Sequence, residues 1–340
     1  MSFTLNSNIE IGSFKRVKPH SVKIKHSIST YLNTCMIKLP TSAVLKTESN
    51  EFVTVQTATQ INEGDKVTVQ LGYNGSLKNE FVGFVARVNF TSPCEVECEG
   101  YSYQLRKRTV AAKTFKKTVL KDILKHIITG TDVVLDKDIP SIVLDKIVIN
   151  GHNGVEVLDM IKKAFGNVVF MNFDDNVLYV GLQFLNPKQT VKYVLGYNVI
   201  KGDNLKLRDA NNDKVTVVYK GKKKDGSNVQ AVIKSKGQSK VITTTGSAGT
   251  EGETKTIVTH AITDEKTLKA MAAAKLKKLS YTGYEGKTTN FLQPYCRHGY
   301  TCDLKDNRFP ERSGKYIVTS LEVDYGMSGA RRIIELGEKI

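Results

Sequence analysis

The sequence contains no tryptophan, so no indole-lined carbohydrate or cage site is open to it, and 14 Tyr and 13 Phe carry its aromatic surface. Five cysteines in 340 residues are few and odd in number. That excludes a disulfide scaffold and fits free thiols made in a reducing compartment. Long apolar runs are missing as well. The longest, Val177 to Leu182, falls far short of the ~20 residues a membrane-spanning helix needs, and Met1 to Lys18 places polar and charged residues where a signal peptide has an apolar core. No stable membrane insertion is expected.

Catalytic signatures are equally sparse. None of the six histidines stands in His-x-x-x-His spacing, and no Gly-x-Ser-x-Gly elbow occurs. Gly283 to Thr288 ends in the Gly-Lys-Thr of a phosphate loop, but two residues separate its glycines where a Walker loop has four, and the segment leads from a helix into a strand rather than the reverse. Cys94-x3-Cys98 and Cys296-x-His298-x3-Cys302 offer soft metal ligands. Along a strand, four steps of about 3.3 Å part Cys94 from Cys98 by roughly 13 Å, whereas sulfurs sharing one zinc lie within about 4 Å. Cys94, Val96 and Cys98 on one face against Glu95, Glu97 and Glu99 on the other instead describe a half-buried strand. His26 reads as a core or interface residue on an apolar strand face, and Asp174-Asp175 as turn residues rather than an acid pair. No enzyme, cofactor or metal is expected.

What is present is enough chain for two or three packed units, with 40% hydrophobic content. Period-two alternation predicts strands over Ser21–Ser29, Thr34–Leu39, Phe52–Gln56, Lys66–Leu71, Glu80–Val88 and Glu95–Glu99, separated by turns at Asn62–Asp65, Asn74–Ser76 and Ser92-Pro93. The period then changes to 3.6. Val119, Leu120, Ile123, Leu124, Ile127 and Ile128 form a helical stripe closed by Gly130. A second helix from Gly154 to Phe165 has Asn153 and Glu156 in capping-box spacing and ends at Gly166. A hairpin follows, Asn167–Phe173 and Val177–Phe184 around Asp174 to Asn176. Beyond it come strands at Lys192–Val199, Asn204–Arg208, Val215–Tyr219 and Val229–Ile233, a Lys-Gly-Ser-Thr stretch from Lys220 to Lys255 read as a long mobile loop or hairpin tip, and a helix from Asp264 to Leu279 with Thr263 as N-cap. Strands at Thr288–Leu292, Tyr316–Tyr325 and Arg331–Leu336 end the chain.

Charge is the strongest compositional signal. Fifty Lys and Arg against 34 Asp and Glu leave +16, a surplus that suits nucleic acid, an acidic membrane face or an acidic protein. Lys201 to Lys240 carries eleven cations against four Asp but only one aromatic, Tyr219, too few for the base-stacking platform of a single-strand binder. A nucleic-acid-binding protein using that stretch is the alternative reading. Candidate polyanion or partner contacts are Arg106, Lys107 and Arg108, with Lys113 to Lys117 beside them, and Lys220, Lys222, Lys223 and Lys224.

The order of motifs resembles a known family. Phe81-Val82-Gly83-Phe84-Val85, then Val96 to Leu105 and the helix from Thr118 to Thr129, are similar to the opening barrel of tailed-phage baseplate hub proteins, namely the late control protein D family and the hub portion of VgrG-type spike proteins. The end of the chain agrees: an alanine-rich helix (Ala270, Ala272, Ala273, Ala274), Gly283, Asp303, Gly314 to Val318, Asp324-Tyr325-Gly326 and Arg331 to Gly337. The resemblance implies an α+β, mainly β fold with two small tube-like β-barrel domains carrying α/β insertions. The first barrel would be residues 1–106, the insert 107–190 with two helices and a hairpin, the second barrel 191–219 and 288–340, and 220–287 a basic flexible loop region and helix. It further implies a homotrimer forming a pseudo-sixfold ring, partnered by spike, tail tube and tape-measure proteins, with DNA passing only as cargo. Such a protein would be assembled in the bacterial cytoplasm and reside in a virion baseplate or injection apparatus. VgrG chains continue into a spike, whereas this sequence stops at Ile340, so the spike is expected to be a separate protein.

Overall fold

Alternation of apolar and polar residues buries every second side chain over most of the predicted strands, and these pair into one sheet of thirteen strands. The computed structural model describes residues 4–46, 51–182, 189–202, 205–208, 215–222, 228–234, 242–243, 253–259, 262, 264–279, 281–310 and 313–340. From one edge the sheet runs Leu5–Ile11, Lys66–Tyr73, Ser76–Asn89, Cys94–Glu99, Thr34–Leu39 and Ser21–Ser27, and continues through Gly314–Gly326, Gly329–Lys339, Gly283–Asn290 and Val199–Lys201. Thr301–Lys305 pairs with Gly314–Gly326 and carries Thr190–Val194 in parallel on its other side. The junction between the N-terminal and C-terminal strands is the antiparallel pairing of Ser21–Ser27 with Ser320–Gly326. Two β units that are separate in sequence are therefore continuous in hydrogen bonding, and they share one core. Ile24, Ile37, Val69 and Val96 from the first unit pack in it with Tyr193, Leu304, Tyr316 and Val323 from the second. The chain is α+β and mainly β, as expected; among the described residues the strand order runs from edge to edge without closing into a barrel.

The α/β insert has its own core. Leu120, Ile123, Leu124 and Ile127 from the helix Leu120–Ile128 meet Val157, Leu158 and Ile161 from the helix Gly154–Ala164. Its termini follow the sequence signals. Gly130 adopts φ +74°, the left-handed conformation in which a Cβ is costly. Asn153 and Glu156 form the reciprocal capping box. After Phe165, Gly166 and Asn167 donate back to Lys163 and Lys162, closing the helix by a Schellman motif. The hairpin Phe170–Asp174 with Val177–Gly181 turns at Asp175, at φ +51°.

Several expectations shift. Glu99 is buried instead of facing outward with Glu95 and Glu97, because Ser102 and Arg106 from the following turn of helix satisfy its carboxylate. Asp264 precedes the helix Glu265–Leu279 and caps it, accepting from the Thr267 amide, so it does not lie in the first turn; Thr263 lies outside the described residues. Val215–Lys222 pairs with Asn228–Lys234 and, in parallel, with Glu253–Thr259. It thus belongs to a four-stranded sheet, packed against Glu265–Leu279, that occupies part of the stretch read as loop. Gly246 to Gly252 lies outside the described residues. Gly283–Asn290, placed partly in the loop region by sequence, is a strand of the large sheet. No helix among the described residues is long and apolar enough to cross a membrane.

Candidate functional site

A sheet strand that turns a charge inward must neutralise it there, since an isolated buried charge is far costlier than a paired one. In Gly329–Lys339 the inward positions are Ala330, Arg332, Ile334 and Leu336, so Arg332 enters the core and has 0% exposure. Its partner is supplied by a β-bulge. Val69 pairs with Phe81 and Gln70 with Asn79, leaving Glu80 as the extra residue, and its carboxylate turns in to meet both guanidinium nitrogens at 2.7 and 3.1 Å. The Cys296 and Leu292 carbonyls accept further bonds from Arg332, and the Tyr295 ring lies 5.1 Å from the guanidinium carbon. The pair ties the first β unit to the last strand across the shared core.

The same bulge orients a histidine pair. His26 donates from Nε2 to the Glu80 carbonyl at 2.9 Å, and His298 from Nε2 to the Phe173 carbonyl at 3.0 Å. Their rings stack with centroids 5.3 Å apart at 11°. A carbonyl only accepts, so each neutral ring carries its proton on Nε2, leaving both Nδ1 atoms without a hydrogen bond among the described residues. Burial, reinforced by the positive Arg297, lowers the His26 pKa from 6.5 to about 4, and burial with the neighbouring His26 lowers that of His298. Arg297 itself pairs with both carboxylates of the hairpin turn, Asp174 and Asp175, each at 3.0 Å. Asn33 donates to the Phe173 carbonyl as well. First β unit, insert hairpin and C-terminal unit therefore meet in one polar junction, whose chemistry is cohesion.

The candidate cations divide. Arg106 is held by Glu99 through two bonds, and Lys107 by Glu63, so neither is available as a bare charge. Arg108 is exposed and lies against Gly130 at the end of the first insert helix. Lys220 and Lys222 sit in the strand Val215–Lys222, while Lys223 and Lys224 lie outside the described residues. On the outward face of the large sheet, lysines are opposed by acids across strands: Lys38 with Glu95, Lys23 with Glu322 and Asp324, Lys287 with Glu322 and Glu335. A groove of about 690 Å³ on this face is lined by both signs, Lys206, Arg208 and Lys287 against Glu285, Glu335 and Glu338. All five cysteines are buried free thiols, and among the described residues no three His, Cys, Asp or Glu side chains are grouped to hold a metal ion.

His26 and Asp174-Asp175 were singled out by sequence; Glu80, Arg297, His298 and Arg332 were not recognised as partners. A signal existed for Arg332, a charge at an apolar position of an alternating strand. Glu80 had none, because a bulge is created by the pairing of two strands.

No protein-family model and no curated protein sequence matches the chain. Solved structures do match it from end to end. The 43 kDa tail protein of prophage MuSo2 from Shewanella oneidensis is 14% identical with a TM-score of 0.62, covering 98% of each chain. A tail protein from Neisseria meningitidis is 13% identical with a TM-score of 0.64, covering 98% of this chain and 96% of that one. An E. coli component of the type VI secretion system, itself described as structurally similar to T4 bacteriophage tail proteins, is 8% identical with a TM-score of 0.60 over 98% of this chain and 76% of that one. The class is thus defined by fold: the chain has the architecture of phage tail and VgrG-related proteins, in agreement with the resemblance read from its motifs.

Proposed function

We propose that the chain is a structural baseplate hub of a phage tail or related contractile injection system. The observation that carries this reading is the end-to-end match, 98% of both chains, to a phage tail protein. In this reading three copies form a pseudo-sixfold ring, each contributing two tube-like units, residues 1–106 and about 191–208 with 283–340, while the insert 107–190 and the four-stranded sheet with its helix lie outside the ring. The ring joins the tail tube to a central spike, contacts the tape-measure protein, and lets DNA pass as cargo. It works without catalysis, in a virion baseplate or injection apparatus assembled in the bacterial cytoplasm. The continuous pairing of the two β units supports it, because a rigid platform holds two similar surfaces at a constant angle, and head-to-tail repetition of such contacts closes a ring.

The test is light scattering coupled to size-exclusion chromatography at assembly concentration, with negative-stain imaging, with and without a co-expressed spike protein. Three chains per particle and a threefold ring are expected. A monomer whose mass is unchanged by the spike would overturn the reading.

A further inference from the structure

The insert carries a surface on which lysines face each other instead of carboxylates. Lys113–Val119 and Val143–Ile149 form a two-stranded ribbon, and among the described residues neither strand has another strand beside it. One face of the ribbon is buried through Phe115, Leu144 and Ile147. The other presents Thr114, Lys116, Lys146 and Val148 to solvent, with Lys116 and Lys146 directly opposite each other in register. Residues so placed have Cβ atoms about 5 Å apart, and like charges there destabilise the ribbon. Neither lysine has an ion-pair partner among the described residues, whereas Lys23, Lys38 and Lys287 on the large sheet each face a carboxylate. Lys113 and Lys117 are exposed on the same strand, on the Phe115 side of the alternation, and add positive charge at the margin of this face, Lys117 at φ +45°, where a non-glycine residue is strained. The fold thus tolerates unbalanced repulsion at this place.

We propose that this ribbon face is the docking site for an acidic, extended segment of a partner protein. Charge complementarity selects an acidic ligand. Three features select protein over nucleic acid. Among the described residues the ribbon has no neighbouring strand at its lateral edges, on which a peptide strand can form main-chain hydrogen bonds and a nucleic acid cannot. Val148, 42% exposed and two positions along the strand from Lys146, gives apolar contact beside the cations. The nearest aromatic of the ribbon, Phe115, turns to the buried face, where the Lys113 ammonium lies 4.9 Å from its ring centroid, so it offers no platform for a stacked base. The site is independent of the trimeric ring and stands whether or not the ring forms.

The experiment uses the full chain and two fluorescein-labelled probes, a peptide of alternating Glu and Val and a short DNA duplex, followed by anisotropy. The peptide is expected to bind, and to bind less tightly as salt rises from about 50 to about 500 mM. Lys116→Glu should weaken it about tenfold while raising the thermal midpoint, since the change converts a cross-strand repulsion into an attraction. Lys23→Glu on the neutralised sheet should leave peptide binding unchanged. Higher stability with lower binding separates a docking residue from a structural one. Absence of peptide binding, peptide binding indifferent to Lys116→Glu, or DNA binding as tight as the peptide's through the same lysine would each overturn the proposal.

Discussion

At the residue scale, the stacked imidazoles of His26 and His298 make folding sensitive to pH. Both are buried and neutral, with no hydrogen bond to Nδ1 among the described residues. As pH falls below 6.5 the unfolded chain takes up protons at these residues, but folded His26 does so only near 4. Between those values the unfolded state binds more protons, so stability falls as pH falls, by roughly 1.4 kcal/mol per pH unit for each histidine that stays neutral. Urea midpoints recorded from pH 7.5 downward should drop across this window, and the His26 ring proton shifts should stay constant to about pH 5; titration of that ring near 6.5 would refute the account. The sequence showed His26 on an apolar strand face but not its stacking partner, because His298 lies in a loop whose position depends on chain folded elsewhere.

At the element scale, the predicted signals and the observed elements agree where the determinant is local. Asn153 and Glu156 cap the insert helix, Gly130 and Gly166 end helices, and Asn74-Gly75, at φ +51° and +81°, turns the hairpin between Lys66–Tyr73 and Ser76–Asn89. Disagreement arises where pairing decides. Lys113–Val119 and Val143–Ile149 lack a clean alternation, Leu144 being buried as well as Ile147 and Ile149, and Val215–Lys222 left the expected unit for a sheet of its own. Gly83, in the Phe-Val-Gly-Phe-Val motif, is required by pairing: a Cβ there would lie 2.2 Å from the Glu99 carbonyl oxygen on the neighbouring strand. Gly83→Ala should destabilise the protein by roughly 1–3 kcal/mol, read as a lower urea midpoint with an unchanged slope. An unaltered midpoint would show that the strand pair opens without cost.

At the scale of the whole molecule, cohesion between the first and last parts of the chain rests on few polar contacts set within apolar packing. Glu80 and Arg332, 252 positions apart, are 3% and 0% exposed. Glu80→Gln should cost about 3–5 kcal/mol by leaving the guanidinium buried without its counter-charge, whereas Glu80→Leu with Arg332→Met should recover most of the loss. Equal denaturation midpoints for wild type and Glu80→Gln would remove the pair from the account of stability. Part of the +16 charge is placed at this scale: Lys23, Lys38 and Lys287 on the large sheet face carboxylates, Arg106 and Lys107 are neutralised within the chain, and Lys116 and Lys146 of the insert ribbon face each other. By itself the sequence determined the strand-rich class, the helix ends, the buried thiols and the kinship in fold with tail proteins, since periodicity, caps and turn residues act over a few neighbours. The tertiary structure alone decided which strands meet, and with them the bulge that aims Glu80, the histidine stack and the lysines left facing each other, because register and burial of a charge depend on partners distant in sequence.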